Sequence, residues 1–218
     1  MGNRPPLSKG EFYHIYNRGT EKRKIFLTKT DYERFLSLLY LANSSESIKI
    51  ENIRRSERGS TLLTRALEVD RNEPLVAIVS YCLMPNHFHL LLHQQVDNGI
   101  SRFMQKLVTA YTMYFNTKNE RTGALFQGKF KSVHAGEDRY LKYLIAYIHL
   151  NPINPKERVT LDDYPYSSYS DLAGILRPQG KILNKTVLPN YFPTPKEFKK
   201  EIQGWIGYGS ERGSTSLK

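Results

Sequence analysis

His87 and His89 flank a single apolar residue in the run Met84-Pro85-Asn86-His87-Phe88-His89-Leu90-Leu91-Leu92. The apolar content of that run predicts a buried strand, and strand side chains alternate between faces with a period of two. Both imidazoles then point one way, while Phe88, Leu90 and Leu92 point the other. Two imidazoles one pleat apart can hold one cation. Polar groups on an apolar strand carry a desolvation cost that a hydrogen bond or a ligand must offset. By itself the pattern fits two idle, hydrogen-bonded histidines as well as it fits a ligand pair.

A second set of reactive side chains lies further along. Tyr140, Leu144, Tyr147 and Asn151 follow helical spacing, so Tyr147 and Asn151 share one helix face. If that helix packs near the His-x-His strand, two imidazole nitrogens and one amide oxygen form a mixed site with open positions. Such a site suits Mg²⁺ or Mn²⁺ bridging to a phosphate, and Mn²⁺ tolerates imidazole better. A cation there would drain charge from a phosphodiester, and the Tyr147 phenol would be a nucleophile able to store bond energy as a phosphotyrosine. A free phenol has a pKa of about 10, so it would need help from the metal or a nearby cation.

The elements that must position these groups are legible as patterns. Phe12 to Asn17 is aromatic and β-branched and reads as a first strand, ended by Arg18-Gly19. Thr30-Asp31 offers an N-cap to a helix carrying Tyr32, Phe35, Leu36, Leu39 and Tyr40, which runs to about Ala42. Residues 43–73 are polar and read as a long insertion or flexible loop. Leu75 to Cys82 and His87 to His93 read as two strands of a hairpin, joined through the tight connection Leu83-Met84-Pro85-Asn86. Asn86 either orients a histidine or merely shapes that turn. Ile100, Phe103, Met104, Leu107, Val108, Tyr111, Tyr114 and Phe115 define a long amphipathic helix. Tyr111 and Tyr114 belong to its core stripe. A short strand follows near Val133, then a helix from Gly136-Glu137-Asp138 with acids in its first turn, stopped by Pro152. The order strand, helix, strand, strand, helix, strand, helix predicts an α+β, ferredoxin-like sandwich: an antiparallel sheet with helices on one face.

Residues 1–155 form this domain, and 156–218 a C-terminal extension, partly disordered. Within the extension, Asp163 to Tyr169 is expected to pack back on the domain, and Phe198 to Trp205 to form a short helix. Ser56-Glu57-Arg58-Gly59-Ser60-Thr61 recurs as Ser210-Glu211-Arg212-Gly213-Ser214-Thr215, a repetition without a physical account.

Composition narrows the partners. The 218 residues carry a formal charge of +11, which suits a polyanion such as nucleic acid. Arg18, Arg102, Lys106, Lys129 and Lys131 are the candidate phosphate contacts, and with interleaved aromatics they suit a single-strand groove. One cysteine, Cys82, rules out an internal disulfide and a Cys-rich zinc module, and reads as a small buried hydrophobe. No apolar stretch approaches a membrane span, and no secretory signal opens the chain, so a cytoplasmic protein is expected. His149 falls off the Tyr147–Asn151 face and is expected at a helix terminus. His93 is on the same side of the strand but two pleats from His89, and is left outside the site.

Three blocks together resemble a known family. Met84-Pro85-Asn86-His87-Phe88-His89-Leu90-Leu91, Phe126-Gln127-Gly128-Lys129-Phe130 and Tyr147-Ile148-His149-Leu150-Asn151-Pro152 resemble the signatures of the single-tyrosine HUH transposases. The branch they look most like is the REP-associated tyrosine transposases, whose opening strand Tyr13-His14-Ile15-Tyr16-Asn17-Arg18-Gly19 resembles. The resemblance spans roughly residues 8–170. It implies a ferredoxin-like nuclease that cuts single-stranded DNA beside a hairpin, leaving a 5′-phosphotyrosine and a free 3′-OH, and then rejoins strands. It implies Tyr147 as nucleophile and His87, His89 and Asn151 as ligands of a divalent metal, Mg²⁺ or Mn²⁺. A homodimer exchanging helices would fit. The alternatives are a catalytically inactive nucleic-acid-binding relative and a water-using, metal-dependent phosphodiesterase. The 43–73 insertion departs from the compact family pattern and puts loop-level DNA contacts in doubt.

Overall fold

Four strands make up the sheet of the computed structural model. They are β1 (Phe12–Arg18), β2 (Val76–Met84), β3 (His87–Gln94) and β4 (Lys131–His134). They pair antiparallel in the order β2-β3-β1-β4, as the ferredoxin-like pattern requires. The structure describes residues 6–46, 50, 53, 59–153 and 159–206. Pro85 and Asn86 alone join β2 to β3, and the Pro85 carbonyl accepts the backbone amides of Ile25 and Phe26. That fixes the turn to the loop after β1.

The helices are α1 (Lys29–Leu41), α2 (Leu62–Ala66), α3 (Gly99–Lys118), α4 (Asp138–Leu150), α5 (Tyr169–Leu172) and α6 (Pro195–Gly204). The expectation that they share one face is corrected. α1 and α3 cover the face of Ile15, Ile78, Tyr81, Phe88, Leu90 and Leu92. α4 and α6 cover the opposite face, that of Val79, Cys82 and Leu91. The reason is visible in α4, whose Leu141, Leu144, Ile145 and Ile148 need an apolar surface, and β2 and β3 offer one on each side. Burying Cys82 there raises its thiol far above the ordinary range, so it is a packing residue.

Local details also differ from the sequence patterns. α1 is capped by Thr28 and not by Thr30 or Asp31; Asp31 occupies the third helical position and its carboxylate accepts the Thr28 amide at 2.9 Å. The 43–73 stretch is not all loop. Thr61, the last residue of the first six-residue repeat, caps α2 by accepting the Thr64 amide, and Leu63, Ala66 and Leu67 are buried beneath α1. Ser56 to Arg58 and the whole second copy lie outside the described residues.

The described part of the C-terminal extension is a structural component of the second core. The Leu83 amide donates to the Tyr166 carbonyl, Ser167 bridges to Cys82, and Leu161, Tyr169, Phe198 and Ile202 are buried with α4. Asp171 and Arg177 brace this segment through paired hydrogen bonds at 3.1 and 2.5 Å. The segment therefore presses α4 onto the sheet.

Candidate active site

β3 separates packing from chemistry at single-residue spacing. Phe88, Leu90 and Leu92 are fully buried against α1 and α3, while His87 and His89 emerge on the α4 side. The two rings stand 5.0 Å apart and nearly perpendicular.

Each ring has one nitrogen already engaged. Asn86 Oδ1 lies 2.6 Å from His87 Nδ1, and the Asn86 amide nitrogen donates to the Lys22 carbonyl at 3.3 Å, which fixes the oxygen toward the ring. An amide oxygen only accepts, so His87 carries its proton on Nδ1 and presents a bare Nε2. Asn86 thus both shapes the turn and orients a histidine. His89 Nδ1 lies 2.8 Å from His14 Nε2 on β1. When His89 donates, its own Nε2 is bare as well, and the His14 proton moves to Nδ1, a buried atom without a hydrogen-bond partner. That tautomer is the one a cation would select.

Burial keeps all three rings neutral. It lowers His14 to about 4, and lowers His87 to about 4 with help from Arg18, which sits opposite it on β1. Burial holds His89 well below the usual imidazole range too, reinforced by His14 and His87. A neutral imidazole is the form that binds metal.

α4 brings the remaining groups. The Tyr147 ring meets His89 edge-on at 5.6 Å and His14 at 6.0 Å. Burial, and then Tyr143, push the Tyr147 phenol above its ordinary value, while Asn151 opposes them. Asn151 is the C-cap of α4; its side-chain nitrogen donates to the Tyr147 carbonyl at 2.8 Å. The same side chain interacts with the His87 ring. Among the described residues no three His, Cys, Asp or Glu side chains form a metal cluster, so a third protein ligand would have to be an oxygen of another kind. Asn151 is the side-chain amide beside His87, and its oxygen with the bare nitrogens of His87 and His89 are the groups that could hold a divalent ion.

The structure therefore brings Tyr147, His87, His89 and Asn151 together within one chain. Arg18 and Lys131 border them, flanking on β1 and β4. Lys129 is exposed just before β4, after the loop that hydrogen-bonds to the end of β1. Arg102 and Lys106 do not join. They lie on α3, across the sheet, where Lys106 donates to the Ser44 and Glu46 carbonyls at 2.8 Å and Arg102 points to the Ser45 carbonyl. His93 stays apart, against Gln95. His149 lies in the last turn of α4, at the helix terminus as expected, and is fully buried there, with Nε2 2.8 Å from Ser168 Oγ. Tyr111 and Tyr114 are core residues as expected, donating to the Ile25 carbonyl and to Asp31.

Sequence reasoning missed His14 and Tyr16. The available signal was alternation in β1, which places His14, Tyr16 and Arg18 on one face; what it lacked was the β1–β3 pairing that sets Tyr16 opposite His89.

The chain matches no curated protein. A solved REP-associated tyrosine transposase bound to a REP hairpin aligns over 88% of this chain and 98% of its own, at 14% identity and a TM-score of 0.49. The family model of the IS200-like transposases matches residues 61–151. The match contains β2, β3, α3, β4, α4 and Asn151, so it takes in both histidines and the tyrosine. The three blocks that carried the resemblance to single-tyrosine transposases fall within the matched residues, Pro152 excepted.

Proposed function

We propose that this protein is a metal-dependent transposase that nicks and rejoins single-stranded DNA beside a hairpin. The observation that carries the reading is the convergence of two neutral histidines, each with one nitrogen engaged by a neighbour, on a half-buried tyrosine from another element. His87, His89 and Asn151 would hold Mg²⁺ or Mn²⁺. When bound, the ion would withdraw charge from the non-bridging phosphate oxygens and favour the phenolate.

The chain's own groups supply the rest. Tyr147 Oη attacks phosphorus, forming the Oη–P bond as the P–O3′ bond breaks. The phenol proton is lost to solvent, and the departing 3′-oxygen takes one up. The product is a 5′-phosphotyrosine with a free 3′-OH, and attack by a 3′-OH reverses it. α4, clamped by the C-terminal segment, keeps the phenol beside the histidines. Arg18 and Lys131 offer charge to the backbone phosphates. The hairpin enters through the resemblance of the sequence blocks.

The test incubates the protein with Mn²⁺ and labelled single-stranded hairpin DNA and looks for a protease-sensitive covalent adduct. An adduct that Tyr147→Phe abolishes is the expected result. Binding without cleavage, or cleavage that survives Tyr147→Phe, would overturn the mechanism, the first in favour of a binding protein and the second in favour of water as nucleophile.

A further inference from the structure

The fully buried residues of α4 are aliphatic, and its tyrosines flank them, Tyr140 and Tyr147 only partly buried at the edge of the core. Leu141, Leu144, Ile145 and Ile148 are each at most 3% exposed and already fill the core beneath the helix. Tyr140, Tyr143 and Tyr147 line a neighbouring face at successive turns. Their rings stack in series: Tyr140 and Tyr143 at 6.1 Å and 22°, Tyr143 and Tyr147 at 6.0 Å and 28°. Tyr143 is 40% exposed. Tyr16 extends the surface onto the sheet, its ring stacked at 5.9 Å on His89.

Charge surrounds this aromatic strip. Lys131 pairs with Tyr16 across β1 and β4, and Arg18 is two residues along β1 on the same face. Arg139 is exposed one turn before Tyr143. The nearby carboxylate of Asp138 accepts a hydrogen bond from the Tyr191 hydroxyl at 2.5 Å. Flat, half-exposed rings between cations complement an unpaired strand, whose bases stack while its phosphates meet the charges. Rings with polar tips also suit a surface that is wet on one side.

We propose that Tyr16, Tyr140 and Tyr143, bordered by Arg18, Lys131 and Arg139, form a stacking subsite for the unpaired nucleotides next to the scissile phosphate. The proposal rests on Tyr147 being the nucleophile, because that sets where the phosphate lies. Tyr143 is the ring most available to a base. Trp205 from α6 meets it edge-on at 5.5 Å and braces it from the side.

The experiment measures anisotropy of labelled oligothymidylate, and of the same oligomer made abasic, in a Tyr147→Phe background that cannot cleave. Tyr143→Leu keeps an apolar side chain against Trp205 but removes the stacking plane. It should weaken oligothymidylate binding about tenfold, within the usual range for one base–aromatic stack, and leave abasic binding unchanged. Tyr143→Phe should bind both as the parent does, and its thermal midpoint checks that the helix is intact. Equal binding of oligothymidylate by parent and Tyr143→Leu overturns the proposal, as does an equal loss on both oligomers. The covalent-adduct assay is a separate readout. An adduct that survives Tyr147→Phe, with a preserved difference between the oligomers, would sink the nucleophile and not the stacking surface.

Discussion

His149 makes the clamp on α4 sensitive to acid. The side chain is fully buried between α4 and the C-terminal segment, and Nε2 meets Ser168 Oγ at 2.8 Å. Ser168 Oγ also accepts the Tyr81 amide at 2.9 Å, so the hydroxyl ties β2, α4 and the segment together. Burial lowers the His149 pKa to about 3, and the Ile145 carbonyl one turn earlier offsets a small part of that. A group whose folded pKa is depressed stabilises the fold above its unfolded value, near 6.5. That contribution is lost as pH falls toward the folded value. At pH 5 the imidazole is mostly protonated in the unfolded chain and still neutral in the folded one. The gap of roughly 1.5 pH units then costs about 2 kcal/mol relative to neutral pH, or a midpoint lower by about 4–8 °C for a chain of this size. His14 and His87, also buried and neutral, add to the wild-type loss. A double difference isolates His149. Wild type and His149→Leu are unfolded in urea at pH 7.5 and at pH 5, and the variant should lose about 2 kcal/mol less between the two. Parallel losses would mean that His149 is protonated in the folded protein or exposed to water, and the buried seam would be wrong.

Other substitutions probe the same architecture. Asn86→Ala removes the acceptor that fixes the His87 tautomer, and His14→Leu removes the partner of His89. Each should weaken Mn²⁺ binding roughly 10- to 100-fold by calorimetry, with the thermal midpoint of Asn86→Ala little changed. Phe88→Ala leaves a void against Phe35 and Phe126 and should cost about 3–5 kcal/mol in denaturant, because the ring is fully buried. Asp31→Asn should cost about 2–3 kcal/mol, since its carboxylate accepts from Leu27, Thr28, Tyr114 and Lys118. Burial alone would raise the Asp31 carboxyl, but those donors outweigh it and hold it below the usual range. Its contribution is therefore present at neutral pH and disappears as pH falls through the folded value, a loss that Asp31→Asn should not show.

Local periodicity carried most of the fold. The strand runs at Phe12 and His87, the continuous apolar run at Val76 and the helical stripes of α1, α3 and α4 all correspond to elements in the expected order. What failed was information that lives between elements. The face that α4 takes depends on which side of the sheet α1 and α3 leave open, and no window of sequence contains both. The short α2 has too few apolar residues to announce itself, and it is helical because α1 covers Leu63 and Ala66. The candidate site was half legible for the same reason. His87 and His89 share a strand, and Tyr147 and Asn151 share a helix, so each pair shows in its own spacing. His14 reaches His89 only through a pairing between strands far apart in sequence, and Arg102 and Lys106 reveal their role only through the carbonyls that they meet.

The single-residue interleaving of β3 has an evolutionary consequence. Under the proposed function, odd positions 87 and 89 answer to chemistry, while even positions 88, 90 and 92 answer to the core. Selection acts on two separate lists written into one strand. A lineage could exchange the histidines and keep a folded protein, since the apolar half would be untouched. Loss or gain of one residue inside the strand would swap the lists and ruin both. Descendants of such a protein should therefore vary in this strand by substitution and seldom by insertion or deletion, even where the chemistry has been abandoned.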